Sequence, residues 1–242
     1  MSRVRVGRGL RVRLLVDILS DDAVLPWGAV HGPGRGLVYD ALARYHSELG
    51  RELHEFGVGL GVRPFCAAPP RFPTAARRRG EYRVGGHGQL MVSSPLPEVL
   101  EAVAAHLTDA GRVEWGPQTF EVTRVELEHP PAFSSGSAQL RAVSPVVVKA
   151  AGSDWYLRPT DPEFAARLQT VCVRKLDALG LPSADFGLEV QWAGAPRRFS
   201  VGPGDRFAAR VDVAVTGAPE SLAALRDAGL GQDCPAGFGA VA

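Results

Sequence analysis

The sequence predicts an α+β protein built from two tandem βαββαβ units, the order of elements found in ferredoxin-like (RRM-like) domains. Two observations support this prediction. Stretches that alternate or are rich in Val, Leu and Ile are separated by segments with apolar residues at helical spacing, and the same order of elements occurs twice. The stretch 128–136 contains two prolines and a glycine, so we expect domains at residues 1–130 and 131–242.

The first unit follows from six segments. Leu10–Leu19 predicts a buried strand, and the apolar residues within 37–45 recur at the spacing of a helix face. The helix over 95–111 has one apolar stripe and ends at Gly111. The remaining strands are predicted at 62–68, at 82–94 as two strands joined by a turn, and at 112–128.

The second unit repeats this order. Residues 138–150 predict a strand, and Asp161-Pro162-Glu163 predicts a helix start, with an acidic N-cap and proline at the first helical position. A second helix is predicted over 219–229. Further strands are predicted at 186–192, 206–215 and 237–241.

The basic residues are unusual in kind and in distribution. Net charge is only +1, and of 27 basic residues only Lys149 and Lys175 are lysines. The planar guanidinium of arginine binds phosphate groups and stacks on bases. A GC-rich genome is the alternative explanation for the excess of arginine over lysine. Two arginine clusters are candidates for binding a polyanion. They are Arg3, Arg5, Arg8, Arg11 and Arg13, and Arg77, Arg78, Arg79 and Arg83.

The three cysteines stand far apart and form no CxxC pair, which gives no support for a zinc ribbon or a redox motif. An odd number of cysteines favours a reducing compartment. No apolar run approaches the roughly 20 residues that span a membrane, and no signal-peptide pattern opens the sequence. We therefore expect a cytoplasmic protein with no membrane partner.

Glycines are concentrated at the end of the sequence, at Gly229, Gly231, Gly237 and Gly239. One interpretation is structural, with Gly229 ending a helix and the others permitting tight turns. The other is functional, because successive backbone N–H groups can form a concave anion site for RNA phosphates. Arg35 and Gly36, at the start of the first helix, offer a second candidate phosphate contact.

Six sequence blocks, in this order, resemble a known family. They are GLVYDAL, ELHEFG, VRPF, MVSSPL, SPVVVK and GLGQDCPAGFG, and they span nearly the whole chain. The chain resembles the CRISPR-associated endoribonucleases that process precursor CRISPR RNA, members of the repeat-associated RNA-binding superfamily.

The resemblance implies cleavage of CRISPR repeat RNA without metal or cofactor. The RNA's own 2′-hydroxyl would attack the adjacent phosphate and leave 2′,3′-cyclic phosphate and 5′-hydroxyl ends. In relatives, a tyrosine in the first helix, a histidine in an L-H-E segment and a basic residue near the following strand carry the cleavage chemistry. The matching positions in this sequence are Tyr39, His54 and Arg63. Relatives often have lysine at the third position, and arginine cannot deliver a proton at neutral pH.

The residue types alone allow the same chemistry. Histidine can act as acid or base near neutrality, a tyrosine hydroxyl is a donor, and an arginine can stabilise charge on phosphate oxygens. Tyr39 and His54 would be ~22 Å apart on one straight helix, so a break is required. We place it at Ser47–Gly50. Other histidines are His31, His46, His87, His106 and His129, of which His46 is the main rival.

The resemblance also leaves alternatives open. The chain could be a non-catalytic subunit that holds guide RNA in a CRISPR effector complex, or, without the resemblance, a module for a small ligand. Its partners would be repeat RNA, with other effector subunits or a second copy of the chain as further candidates. No HExxH or similar ligand cluster supports a metal site.

Overall fold

The N-terminal half is built on one five-stranded antiparallel sheet in the order β2-β3-β1-β5-β4. The computed structural model describes residues 13–76, 78, 80–129, 131–201 and 204–242. The strands of this sheet are β1 (Arg13–Leu25), β2 (Cys66–Arg71), β3 (Tyr82–Ser93), β4 (Arg112–Trp115) and β5 (Gln118–Glu128).

Three helices complete this half: α1 (Pro33–Tyr45), α2 (Ser47–Glu55) and α3 (Pro97–Ala110). The predicted stripe of α3 is buried at Val99, Val103 and Leu107, and the helix ends at Gly111 as expected. These side chains pack with α1 and with the inner residues of β1 and β3 in one apolar core.

The C-terminal half carries a three-stranded sheet in the order β6-β11-β8 and two helices. Immediately after β6, Ala142 pairs with Val241 at the end of the chain through one isolated bridge. A second small sheet, β7-β10-β9, lies alongside. The elements are β6 (Ser137–Arg141), β7 (Val146–Val147), α4 (Phe164–Ala178), β8 (Gly187–Ala193), β9 (Arg197–Val201), β10 (Gly204–Ala209), β11 (Val211–Thr216) and α5 (Pro219–Ala228). The α+β prediction of tandem ferredoxin-like units is confirmed.

Several local predictions are wrong. Residues 82–93 form one strand, because Gly85 and Gly86 bend it opposite a bulge in β1 and do not form a turn. The segment 138–150 splits into β6 and β7, which belong to different sheets. The segment 206–215 likewise divides between β10 and β11, and the sequence did not predict β9.

The starts and ends of two C-terminal elements also differ from expectation. Helix α4 begins at Phe164, because the carboxylate of Asp161 accepts the backbone N–H of Arg158 at 2.6 Å and closes a turn before the helix. Residues 237–241 were expected as a strand and form only the bridge at Val241. The first sheet ends at Glu128 and β6 begins at Ser137, so we propose the domain division at 130/131, within that connection.

Buried charges join the two halves at Arg13, which is 1% exposed. Its guanidinium donates to the backbone oxygens of Arg226 at 2.7 Å and Val241 at 2.5 Å, and to Asp227 Oδ1 at 3.3 Å. Arg226 in turn pairs with Glu128. The expected role of Arg13 in binding a polyanion is therefore wrong. The four other arginines of that cluster lie outside the described residues.

The three cysteines are buried free thiols. Burial raises the pKa of Cys172 to about 11. Among the described residues no helix is long and apolar enough to cross a membrane.

Candidate active site and RNA-binding cleft

A sharp bend between α1 and α2 brings Tyr39 and His54 together. His46 is non-helical, with φ −143° and ψ 58°, and it separates the two helices. The break lies one residue before the predicted Ser47–Gly50. The two rings are 5.1 Å apart between centroids and nearly perpendicular. The pairing proposed from the sequence is therefore geometrically allowed, since one straight helix would have separated these residues by ~22 Å.

Arg63 reaches the same place from the segment after α2. That segment folds back through a bridge between Val58 and Val62. Arg63 Nη2 donates to the backbone oxygen of His54 at 2.7 Å, and the Tyr39 hydroxyl donates to the backbone oxygen of Leu53 at 3.4 Å. Burial raises the pKa of Tyr39, and the positive charges of Arg63 and Arg35 oppose that rise. Tyr39 is therefore a hydrogen-bond donor at neutral pH.

These residues line a cleft of about 650 Å³ between the two halves. One wall carries Arg35, Tyr39, His54 and Arg63, and the other carries one face of α4 with residues 231–236 of the terminal loop. The cationic side chains in this lining are Arg35, Arg63, Arg167, Arg174 and Lys175. Its single carboxylate, Asp233, is paired with Arg206 at 2.5 Å. The cleft thus concentrates positive charge in a protein whose net charge is only +1.

Two of the terminal glycines that were predicted to bind RNA use their N–H groups within the protein. Gly237 donates to the backbone oxygen of Cys234 at 2.9 Å, and Gly239 donates to that of Pro145 at 2.8 Å. Gly231 alone of the four glycines lines the cleft. These bonds support the structural interpretation of the loop. RNA binding by Gly229, Gly231, Gly237 and Gly239 stays a prediction.

Phe238, between two of these glycines, is fully buried. Its ring stacks on His31 with centroids 4.2 Å apart and 10° between the planes. Burial lowers the pKa of His31 to about 4, so this histidine of the N-terminal half is neutral at physiological pH. The aromatic pair holds the terminal loop against the N-terminal half.

Lys175 of α4 holds the other side of the same loop and is 7% exposed. Its Nζ donates to the backbone oxygen of Gly229 at 2.7 Å and to that of Ala228 at 3.3 Å, and it lies 3.1 Å from Cys234 Sγ. Ala228 ends α5, so the ammonium satisfies carbonyls at the negative end of that helix.

Other sequence candidates lie elsewhere. His46 Nε2 is 4.0 Å from Glu101 Oε2 on α3. Arg78 is exposed and lines a second groove of about 920 Å³, which also contains Trp27 and Trp192. Arg77 and Arg79 lie outside the described residues. The structure thus brings Arg35, Tyr39, His54, Arg63 and Gly231 together but not Arg78.

Sequence analysis missed three cationic residues of the cleft: Arg167, Arg174 and Lys175. The seven-residue spacing of the two arginines, two helical turns, was a usable signal for a shared helix face. In the described part of the chain no group of three His, Cys, Asp or Glu side chains is placed to hold a metal ion.

Comparison with known proteins assigns the C-terminal half of the chain to a family. Residues 127–242 match the sequence model of the CRISPR-associated protein Cas6, C-terminal. No curated protein sequence matches the chain.

Several solved structures share the fold over the whole length. A Cas6-related protein from Pyrococcus furiosus superposes with a TM-score of 0.79 at 17% identity, covering 96% of this chain and 98% of the other. A RAMP protein described as binding different RNA substrates gives 0.78 at 19% identity, covering 95% and 98%. A Cas6 product complex gives 0.64 at 19% identity, covering 96% and 99%. Residues 127–242 therefore belong, as the sequence motifs suggested, to the Cas6 C-terminal family, and the chain as a whole has the fold of these Cas6-related and RAMP proteins.

Proposed function

We propose that this protein is an endoribonuclease that cuts CRISPR repeat RNA within its precursor transcript, without a metal ion, to release guide RNAs. One observation carries the proposal most strongly. Tyr39, His54 and Arg63, which the family resemblance selects, contact one another at one wall of a cationic cleft. A RAMP protein with the same fold is described as binding different RNA substrates, which supports an RNA substrate here.

The chemistry requires two proton transfers and no water. The 2′-oxygen forms a bond to the adjacent phosphorus while the bond from phosphorus to the 5′-oxygen breaks. A base takes the 2′-hydroxyl proton and an acid gives a proton to the departing 5′-oxygen, which yields a 2′,3′-cyclic phosphate and a 5′-hydroxyl. The arrangement is an in-line displacement, so positioning and charge stabilisation matter as much as proton transfer.

The three residues have distinct capacities for these steps. His54 is exposed to the cleft and is the group that can act as acid or base near neutral pH. Tyr39 assists as a donor, because burial keeps its hydroxyl protonated. Arg63 cannot serve as the acid, and its guanidinium stabilises charge on the non-bridging phosphate oxygens.

The test is cleavage of end-labelled repeat RNA by purified protein in excess EDTA. We expect one defined cut with a cyclic-phosphate end, which His54→Ala slows by about 10²–10⁴-fold. His46→Ala is the matched control, because it removes a histidine only eight residues away that pairs with Glu101. Tight binding without a cut by the wild-type protein would instead support a non-catalytic guide-RNA subunit.

A modified substrate assigns the role of His54. An RNA with sulfur in place of the 5′-bridging oxygen has a leaving group that needs no proton. If His54 is the general acid, this substrate restores the rate of His54→Ala toward that of the wild type. If His54 is the base, the variant stays slow on both substrates.

A further inference from the structure

One face of α4 contributes to the lining of the cleft that also contains Tyr39 and His54. Arg167, Thr170, Val171 and Arg174 line the cleft. Their spacing of three, four and seven residues places them on one side of a helix, and seven residues correspond to a rise of about 10.5 Å. The C-terminal half therefore presents two arginines along the cleft, roughly two helical turns apart.

Backbone carbonyls fix both arginines in place. Arg167 Nε donates to the backbone oxygen of Lys149 at 3.0 Å, and Arg174 Nη2 donates to that of Leu60. A guanidinium has five N–H donors, so each arginine keeps donors for a ligand after making this bond. Because the side chains are already oriented, less entropy is lost when a ligand binds.

The anchoring differs from that of other arginines in this protein. Arg112 pairs with Glu114, and Arg198 pairs with Asp205. Such a carboxylate neutralises the arginine and competes with a phosphate. Arg167 and Arg174 bond instead to neutral carbonyls, so the positive charge of this wall remains available to an anion.

Arg174 also links the two walls. Leu60, which accepts its hydrogen bond, lies in the loop that leads from His54 to Arg63. Gly59 of that loop packs against the backbone of Ala178 at the end of α4. The position of this wall is therefore coupled to the residues proposed for the cut.

We propose that Arg167 and Arg174 form a phosphate-binding wall that grips the backbone of the RNA across the cleft from His54. The ligand class is a phosphodiester chain, since two forked donors about two helical turns apart suit successive phosphates more than a single anion. The inference rests on the proposed function and adds the part of the C-terminal half that aligns the RNA.

The test compares Arg167→Gln and Arg174→Gln with Arg112→Gln, an exposed arginine on β4. The probe is repeat RNA that carries a 2′-deoxy nucleotide at the cut, so that it binds but is not cleaved. Each α4 substitution should raise Kd about tenfold and reduce the slope of log K against log salt by about 0.7, the value for one single-strand phosphate contact. Arg112→Gln should change Kd less than about twofold, as a charge that touches no phosphate.

A rate measurement separates binding from chemistry. Arg167→Gln and Arg174→Gln should lower the single-turnover rate chiefly at subsaturating protein, because they weaken RNA binding, whereas His54→Ala should lower it equally at all protein concentrations. If the wild-type protein cuts the RNA but both α4 variants show the Kd and the salt slope of the Arg112→Gln control, this inference is overturned and the proposed function is not. Failure of the wild type to bind repeat RNA would overturn the proposed function and this inference together.

Discussion

Gly239 offers a quantitative test of whether the terminal glycines serve packing or RNA binding. A Cβ at this position would lie 1.9 Å from the backbone oxygen of Leu230, and the residue has φ +70°. The N–H of Leu230 donates to the backbone oxygen of Gly239 at 2.8 Å, and the N–H of Gly239 donates to the backbone oxygen of Pro145 at 2.8 Å. An alanine must therefore push apart two hydrogen-bonded segments of buried backbone.

The expected cost of Gly239→Ala follows from these contacts. A left-handed conformation costs a residue with a Cβ about 1–2 kcal/mol, and two lost backbone hydrogen bonds add about 1 kcal/mol each. The sum is about 3–4 kcal/mol, which corresponds to a fall in Tm of about 10 °C for a chain of this size. Thermal and urea unfolding of the purified variant measure it.

Gly180→Ala is the matched control. Gly180 has φ +67°, close to that of Gly239, but no atom lies within 4 Å of a Cβ placed there. We expect only the conformational cost of about 1–2 kcal/mol. Equal losses in the two variants would refute the packing argument. A Gly239→Ala protein that is as stable as Gly180→Ala but binds RNA more weakly would also refute it. That result would support the interpretation in which Gly239 lets RNA approach the backbone closely.

Three further predictions concern single side chains. Tyr39→Phe should slow single-turnover cleavage less than His54→Ala does, and the pH–rate profile should show no break from Tyr39 below about pH 10, because burial raises its pKa. His31 has a folded pKa of about 4, which is below its unfolded value of about 6.5. The neutral histidine therefore contributes its full stabilisation above pH 6.5, and up to about 3 kcal/mol of the free energy of unfolding is lost as the pH falls toward 4. His31→Gln should flatten that acid limb in urea unfolding followed from pH 7 to pH 4. Arg13→Met should lower the free energy of unfolding by about 3–5 kcal/mol, since it leaves the buried Asp227 with one fewer cation; an unchanged urea midpoint would contradict a role in joining the halves.

The sequence best predicts the elements whose apolar residues form a complete periodic pattern within the element itself. The stripe along α3 buries its own apolar residues, so local periodicity is sufficient. The short strands β7 and β9 are different. They exist because they pair with β10, a contact between segments distant in sequence, and local pattern does not reveal such pairing.

The candidate site shows the same division. A break between Tyr39 and His54 was expected, at Ser47–Gly50, only because the proposed chemistry required one, and the structure has it at His46. The spacing of Arg167 and Arg174 is visible in the sequence, but the direction of that helix face depends on how α4 packs against the loop at Leu60. A glycine required for close backbone packing and a glycine required for phosphate approach look alike in a sequence, so the terminal loop left both interpretations open.

The position of the cleft implies that its geometry is set by folding. His54 comes from one half, whereas Arg174 and Lys175 come from the other, so the site exists only when the halves are docked. That junction contains buried, specifically bonded groups, including Arg13 and the Phe238 ring stacked on His31. Hinges are built from few buried contacts, and this junction has many. Under the proposed function, the RNA would enter a preformed cationic cleft, and the binding energy of the strand would be available to align the phosphate with His54.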